Sequence, residues 1–443
     1  MMNVTSTNFN KSQRPYGFNI IGLISANAGI GVAARNFVRL LLKKNIPIAL
    51  LDLDPGMNRK SHDMTYSKYI VETPEQLPYS INFFILPLNS LPDIIIDNPE
   101  YFLNNTFNVG FFWWELPKLP NIWIASLEFF DVIVAGSDFI YETFSNHLSN
   151  TFIVSTPQPL VIPKTTKPDR AKFGLPEQKI VFITIVEPTS DPQRKNPFSA
   201  IDAFSKAFEN NSDTVLLVKI NNAYHNDILH PLAEQIESYC KHKNGIIIFK
   251  TNLKYGEVMQ LYASCDVFVA LHRSEGLGLG MIEAMLLNKP VIATAWSGNM
   301  SFMNHQSSCL VHYKLIPVNG SLECYTPKFI GSETLWADPD IAEAANWMKI
   351  LAYDTTLRQN IGIAAANSIQ SYLDSAEKGE FLDEIIAIWE QNKLLNRSLK
   401  AQQIEIIKLK YSAFLLKSSK WAVLQYKLKK YMNKYVSWRF KKF

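Results

Sequence analysis

The stretch HRSEGLGLGMIEAM, running from His272 to Met285, sets two carboxylates, Glu275 and Glu283, around three glycines. It follows the apolar run DVFVAL, Asp266 to Leu271, and leads into MIEAMLLNK, Met281 to Lys289, whose apolar residues have helical spacing. The glycines therefore belong to a strand-to-helix turn, with Glu275 in the loop and Glu283 in the first turn of the helix. In open α/β sheets such turns lie where ligands bind, and the free N–H groups of a helix start favour anions. Carboxylates beside an anion site need another partner. Vicinal sugar hydroxyls supply one, because an ionised carboxylate only accepts hydrogen bonds. For Glu283 the plainer alternative is an acid that merely suits a helix start.

Other stretches with chemical potential also fall at strand ends. DPQRKNPFSAIDAF offers adjacent cations, Arg194 and Lys195, just before a helix, where they could stabilise negative charge that grows in a transition state. SANAGIGVAARNF puts Gly29 and Gly31 between a strand and a helix, where close backbone approach needs a residue without Cβ. GFFWWELPKLPNIW carries Glu115 directly after an aromatic strand, and SGNMSFM carries Ser297, Gly298 and Asn299, either ligand contacts or simply a turn. The DLD of Asp52 to Asp54 invites a metal reading, but two acids at this spacing are common by chance and are read as structural or acceptor-side.

These residues are positioned by two series of alternating elements. The first comprises FNIIGLI, a helix through VAARNFVRLLLKK, IPIALLDLD, INFFILPL, FNVGFFWW and DVIVAG. The second comprises KIVFITIV, the helix NPFSAIDAFSKAF, TVLLVKI, GIIIFK, DVFVAL and PVIAT, with helical segments from Asp340 to Glu390 closing it. Short apolar strands alternating with helices predict parallel sheets covered on both faces. The proline-rich TPQPLVIPKTTKPDRAKFGLPEQ separates the series. The expected organisation is a disordered start (1–17), a Rossmann-like domain (18–160), a linker (161–178), a second Rossmann-like domain (179–390) and a basic helical tail (391–443).

The chain's 443 residues suffice for two cores, and 47% hydrophobic with 19% charged residues excludes a disordered chain. Four scattered cysteines and eight histidines show no zinc spacing, so no metal site is expected. The net charge of +4 is split unevenly: from Gln391 onward there are 14 Lys or Arg and one acid, so the tail carries +13 and the remainder −9. Leu395, Leu399, Ile406, Leu409, Ala413 and Leu416 form a short heptad seam that could pair two copies into a homodimer. After it, KWAVLQYKLKKYMNKYVSWRFKKF mixes aromatics with cations, as an interfacial helix on an anionic membrane does. Nucleic acid would attract the same charge, but the aromatics favour a lipid surface.

In RKNP, HRSEGLGLGMIEAM, KPVIATAWSGNMSFM and LWADPD, which occur in the family's order, the sequence resembles the retaining glycosyltransferases of family 4. The resemblance covers about Phe18 to Glu390 and implies the GT-B fold, two Rossmann-like domains facing a cleft. It implies that Glu275 holds donor-sugar hydroxyls, that Glu283 holds the nucleotide ribose, and that backbone around Gly276, Gly278 and Leu279 faces the donor. Arg194 and Lys195 would meet the leaving diphosphate, and the Gly29–Gly31 loop would approach it from across the cleft. The activity implied is metal-independent, cofactor-free transfer of a hexose from a nucleotide diphosphate sugar to a saccharide or lipid-linked saccharide. Relatives that build bacterial surface polysaccharides have a similar W-E followed by prolines, so Glu115 either orients the acceptor or anchors its loop. The expected location is cytoplasmic, peripheral on the inner face of the plasma membrane. A catalytically inactive nucleotide-sugar-binding scaffold is the alternative; a dinucleotide oxidoreductase would have no use for Glu275 and Glu283.

Overall fold

The computed structural model describes residues 14–26, 29–53, 63–99, 101, 106–161, 166–209, 213–225, 227–391 and 404–413. The first sheet comprises β1 (Phe18–Gly22), β2 (Ile48–Asp52), β3 (Ile81–Ile85), β4 (Phe107–Phe111), β5 (Val132–Ala135) and β6 (Phe152–Ser155), all parallel, in the order β2-β1-β3-β4-β5-β6. Alternate residues bury on opposite faces: Ile20, Phe83 and Val109 pack with Phe37 on one side, Ile21, Phe84 and Ile133 with Leu91 and Phe130 on the other. Coverage of both faces is why these strands read as unbroken apolar runs.

The second sheet begins at β7 (Ile180–Val186) and continues with β8 (Thr214–Ile220). A small antiparallel hairpin of β9 (Tyr224–His225) and β10 (Ile228–Leu229) precedes β11 (Ile246–Phe249), β12 (Val267–Ala270), β13 (Val291–Thr294) and β14 (Cys309–Val311). The sheet order is β11-β8-β7-β12-β13-β14, again parallel. In both sheets the order reverses beside the first strand, between β1 and β3 and between β7 and β12. Such reversals open a crevice at the strand carboxyl ends, where ligands bind.

Elements of the second domain reach across to the first. A ribbon of β15 (Tyr313–Pro317) and β16 (Leu335–Pro339) carries an excursion, residues 318–334, out of the second domain. Val318, Tyr325 and Ile330 of this excursion pack in one cluster with Trp114, Leu119 and Trp123 of the first domain. The helix Glu380–Gln391 also crosses over: Phe381, Leu382 and Ile385 pack with Phe37 and Leu40, and the Phe37 and Phe381 rings meet at 5.9 Å. The span 179–390 expected for the second domain thus includes a helix that packs on the first, since the hydrophobic stripe of this helix finds its apolar surface there.

In the helix over 404–413, Ile404 and Ile407 are buried against the first domain with Tyr411 packed beside them, whereas Ile406 and Leu409 are 47% and 70% exposed. The seam expected from the heptad pattern therefore faces solvent within this segment, and a neighbouring stripe makes the contact with the body. Leu395, Leu399 and Leu416 of that seam, and the aromatic basic segment 417–443, lie outside the described residues. No helix among the described residues is long and apolar enough to cross a membrane.

Candidate active site

The cleft between the two sheets has a volume of about 620 Å³ and is lined from both domains, including Gly29, Trp113, Trp114 and Glu115 from the first and Lys195, Glu275 and Glu283 from the second. Its floor is the turn after β12. Gly278, at φ +96°, starts the helix Leu279–Leu286 in a conformation that only glycine adopts without strain. The helix begins two residues earlier than its apolar spacing predicts, which puts Glu283 in the second turn rather than the first. Gly276 lies under the first domain, where an added Cβ would sit 3.1 Å from the Trp114 carbonyl oxygen.

Glu275 is half-buried and holds two cations. Its Oε1 accepts from Lys195 Nζ at 2.5 Å, and its Oε2 lies 3.3 Å from Arg194 Nη1. Burial alone would raise the carboxyl's pKa, but Lys195 and Arg194 outweigh it and hold the group down at about 2. Glu275 is therefore a fixed anion at any physiological pH.

Both cations come from the helix Pro192–Lys195, capped by Asp191, whose Oδ1 accepts the N–H groups of Gln193 and Arg194 at 2.9 and 3.0 Å. The same carboxylate's Oδ2 accepts the N–H groups of Ser321 and Leu322 in the excursion, at 2.5 and 2.7 Å. Asp191 thus ties the cation loop to the excursion. The two cations then part company. Both line the cleft, but the Lys195 side chain is 26% exposed, whereas Arg194 is 4% exposed and donates to the Ser274 carbonyl at 2.9 Å. Burial would lower the guanidinium's pKa, but Glu115, Tyr325 and Glu275 raise it, so it stays charged.

Glu115 lies where its placement after an aromatic strand predicts, at the cleft wall. Its Oε2 accepts from the Tyr325 hydroxyl at 2.7 Å, its Oε1 is 3.5 Å from Arg194 Nη2, and its backbone carbonyl accepts from the Ser274 hydroxyl. The Tyr325 ring stacks on Trp114 at 5.5 Å with 8° between the planes, and the Arg194 guanidinium lies 5.6 Å from the Tyr325 ring centroid. Glu115, on the first domain, is therefore held by three residues of the second.

Glu283 has the opposite electrostatics from Glu275. It is 5% exposed with no cation beside it, and burial pushes its pKa up to about 8, only partly offset by the Tyr255 hydroxyl. Its carboxyl carries a proton at neutral pH until a donor of hydrogen bonds arrives. Lys219 is fully buried and donates at 2.7 Å to the Oδ1 of Asn221, which lines the cleft, and burial lowers the ammonium to about 8.

The remaining residues singled out in the sequence divide. Gly29 lines the cleft, and a Cβ added there would meet nothing within 4 Å. Gly31, in the first turn of the helix Gly29–Lys43, packs against the segment before it, where an added Cβ would fall 2.1 Å from the Ala26 oxygen. Ser297, Gly298 and Asn299 stand behind the glycine turn. The Ser297 hydroxyl accepts the Glu275 N–H at 2.8 Å, and Ser297 sits at φ +77°, a strained conformation for a residue with a side chain. Gly298 has room for no Cβ, which would fall 2.0 Å from the Gly276 oxygen. Asn299 is fully buried between the Thr294 carbonyl and His272. These three shape the loop from below. Asp52 ends β2 and accepts from the Ser25 N–H at 3.3 Å, and Asp54 lies outside the described residues. His147 of the first domain bonds within its own helix region, at 2.8 Å to the Thr143 carbonyl.

Tyr325, Ser274 and Asp191 escaped the sequence reading. Tyr325 had no signal, being far along the chain from the glycine turn. Asp191 did have one, an acid directly before a proline that opens a helix.

Two Rossmann-like domains facing a cleft, with the last helix of the second crossing back to the first, define the GT-B architecture. Residues 166–313 match the family of glycosyl transferases group 1, a span that contains Arg194, Lys195, Glu275 and Glu283. No curated protein matches the sequence. Among solved structures, sucrose-phosphate synthase from Thermosynechococcus elongatus superposes with a TM-score of 0.60 at 14% identity, over 84% of this chain and 100% of that one. The Anabaena protein HepE in complex with UDP gives 0.56 at 15% identity, over 84% and 99%. The pneumococcal O-GlcNAc transferase GtfA, solved with UDP and GlcNAc, gives 0.48 at 12% identity over 70% and 56%, so this chain spans about half the length of that protein. At these identities the likeness speaks for the fold.

Proposed function

We propose that this protein is a retaining glycosyltransferase that moves a hexose from a nucleotide diphosphate sugar to a saccharide acceptor. The observation that supports it most is the Lys195–Glu275 pair in the cleft, with Glu283 behind the same glycine turn. In this reading Glu283 accepts the ribose hydroxyls, Glu275 accepts hydroxyls of the transferred sugar, and Lys195 faces the diphosphate. The departing phosphate gathers negative charge as the glycosidic bond breaks, and Lys195 stabilises it. Arg194 acts through Glu275 and Glu115 from its buried position, as a positioning residue. The departing phosphate oxygen takes the proton of the attacking hydroxyl on the same face of the sugar, so no protein base is required, and the site works by placement and charge without a resident metal. The aromatic wall of Trp113 and Trp114 beside Glu115 suits the acceptor sugar.

The acceptor we favour is a lipid-linked saccharide of a bacterial surface polysaccharide, met at the inner face of the plasma membrane through the basic aromatic tail. Thermal shift with UDP, GDP, dTDP and their sugars tests the donor assignment, since a ligand that binds only the folded state raises its melting temperature. UDP is the first probe because HepE binds it. The reading fails if none of these nucleotides shifts the transition.

A further inference from the structure

A second hollow at the domain junction has a volume of about 370 Å³, within the range of small-ligand sites. Its walls come from both domains. The helix Asp138–Ser145 of the first domain faces the turn Gly298–Ser301 of the second, joined where the Asp138 N–H donates to the Ser301 hydroxyl at 2.8 Å. One side is aromatic: Phe139 meets Trp296 at 5.9 Å, and Trp296 meets Tyr313 at 5.3 Å. The other side is polar. Asp138, Glu142 and Asn146 follow one another at four-residue spacing, so they share a face of the helix and its C-terminal cap.

The polar groups are uncommitted. The side chains of Asp138, Glu142 and Asn146 make no hydrogen bond or ion pair among the described residues, and the buried Trp296 indole N–H also lacks an acceptor. No Lys, Arg or His lines the hollow. Two unneutralised carboxylates repel phosphate, so a second nucleotide is excluded. The fitting ligand has an apolar face to lie on aromatic rings and several hydroxyls to donate to carboxylates. A pyranose has both: its C–H face packs on aromatic rings, and its hydroxyls donate.

We propose that this hollow is an accessory saccharide-binding site, separate from the transfer cleft, that holds one or two sugar units. Asp138 and Glu142 accept sugar hydroxyls, Asn146 both donates and accepts, and the Phe139–Trp296–Tyr313 wall receives the sugar's apolar face. The site adjoins the machinery of the cleft, because Ser297 lines the hollow while its hydroxyl accepts the Glu275 N–H. The chemistry of the hollow does not depend on what the cleft binds.

Calorimetric titration of the full-length protein with maltotriose and with chitotriose, each with and without UDP, tests this. At least one trisaccharide binds in the millimolar range or tighter. Glu142→Gln, which alters an exposed side chain without partners, and Tyr313→Ala each weaken that binding about tenfold while UDP affinity stays within about twofold of wild type. If neither trisaccharide binds, or if both variants bind as wild type does, the site is not a saccharide site. Binding of spermidine at the hollow in place of either sugar would overturn the proposal in favour of a cationic ligand. Failure of wild type to bind any nucleotide would instead count against the reading of the cleft and leave the sugar titration to stand by itself.

Discussion

The guanidinium of Arg194, in the second domain, stands 3.5 Å from the carboxylate of Glu115, in the first. Arg194 is buried and shared with Glu275, so the three charges form one chain across the domain junction. Removing one member of a buried pair leaves an uncompensated charge, which costs about 3 kcal/mol or more. Glu115→Ala should therefore lower the urea midpoint of the junction, and a double-mutant cycle with Arg194→Met should show a coupling of about 1 to 3 kcal/mol. Unchanged midpoints in both single variants would show that the chain contributes nothing to closing the cleft.

Tyr325 has two separable roles. Its hydroxyl donates to Glu115, and its ring stacks on Trp114. Tyr325→Phe keeps the stack and loses a hydrogen bond to a charged acceptor, about 1.5 to 3 kcal/mol. Tyr325→Ala loses both and should be the more destabilised in the same denaturation experiment. Equal stabilities of the two variants would mean that the ring contributes nothing beyond its hydroxyl.

At the leaving group, charge should count by phosphate. Lys195→Met should weaken UDP binding by about tenfold or more, the loss of one charge-assisted contact, and UMP binding much less. Transfer by the wild type should survive EDTA. Loss of transfer in chelator, restored by Mg²⁺ or Mn²⁺, would overturn the metal-independent reading and return attention to Asp52 and Asp54.

The two carboxylates of the glycine turn should give opposite pH responses. Glu283 titrates at about 8 in the folded protein against 4.5 as its ordinary value, so the folded state binds the extra proton between these limits. Its contribution is present below pH 4.5 and is lost as pH rises to about 8. Glu283→Gln should remove that fall, read from melting curves between pH 5 and 8. Because ribose hydroxyls donate to the ionised form, UDP affinity of the wild type should rise with pH through about 8, and that of the variant should not. Glu275 behaves in the other sense: held at about 2 against 4.5, it stabilises the fold above pH 4.5 and loses that contribution as pH falls toward 2.

Residues 417 to 443 carry seven aromatics among nine Lys or Arg and no acid. Each cation near an anionic bilayer contributes about 1 kcal/mol, screened within a Debye length, so binding should be salt-sensitive. Deleting this segment should abolish co-sedimentation with phosphatidylserine liposomes and spare transfer to a soluble acceptor. A full-length protein that ignores such liposomes at low salt would refute the membrane assignment.

The two parallel sheets are legible in the amino-acid pattern, because strands covered on both faces must be apolar throughout, and that pattern is local. It also placed the glycine turn after β12 and the cations before a helix, since a strand end, a glycine and a helix start are neighbours in the chain. Which of those groups meet is set by packing between elements distant in the chain. Adjacent in sequence, Arg194 and Lys195 meet different environments, one buried between carboxylates of two domains and one partly exposed in the cleft. Glu275 and Glu283 look alike in the sequence, yet neighbouring cations hold one near 2 while burial without a cation lifts the other to about 8. Tyr325 reaches Glu115 from 210 residues away, and the face of the 404–413 helix that is buried is not the one its heptad spacing favours. Long-range packing and burial set these outcomes: periodicity reports how residues are spaced along one element, whereas the surface an element meets belongs to another part of the chain.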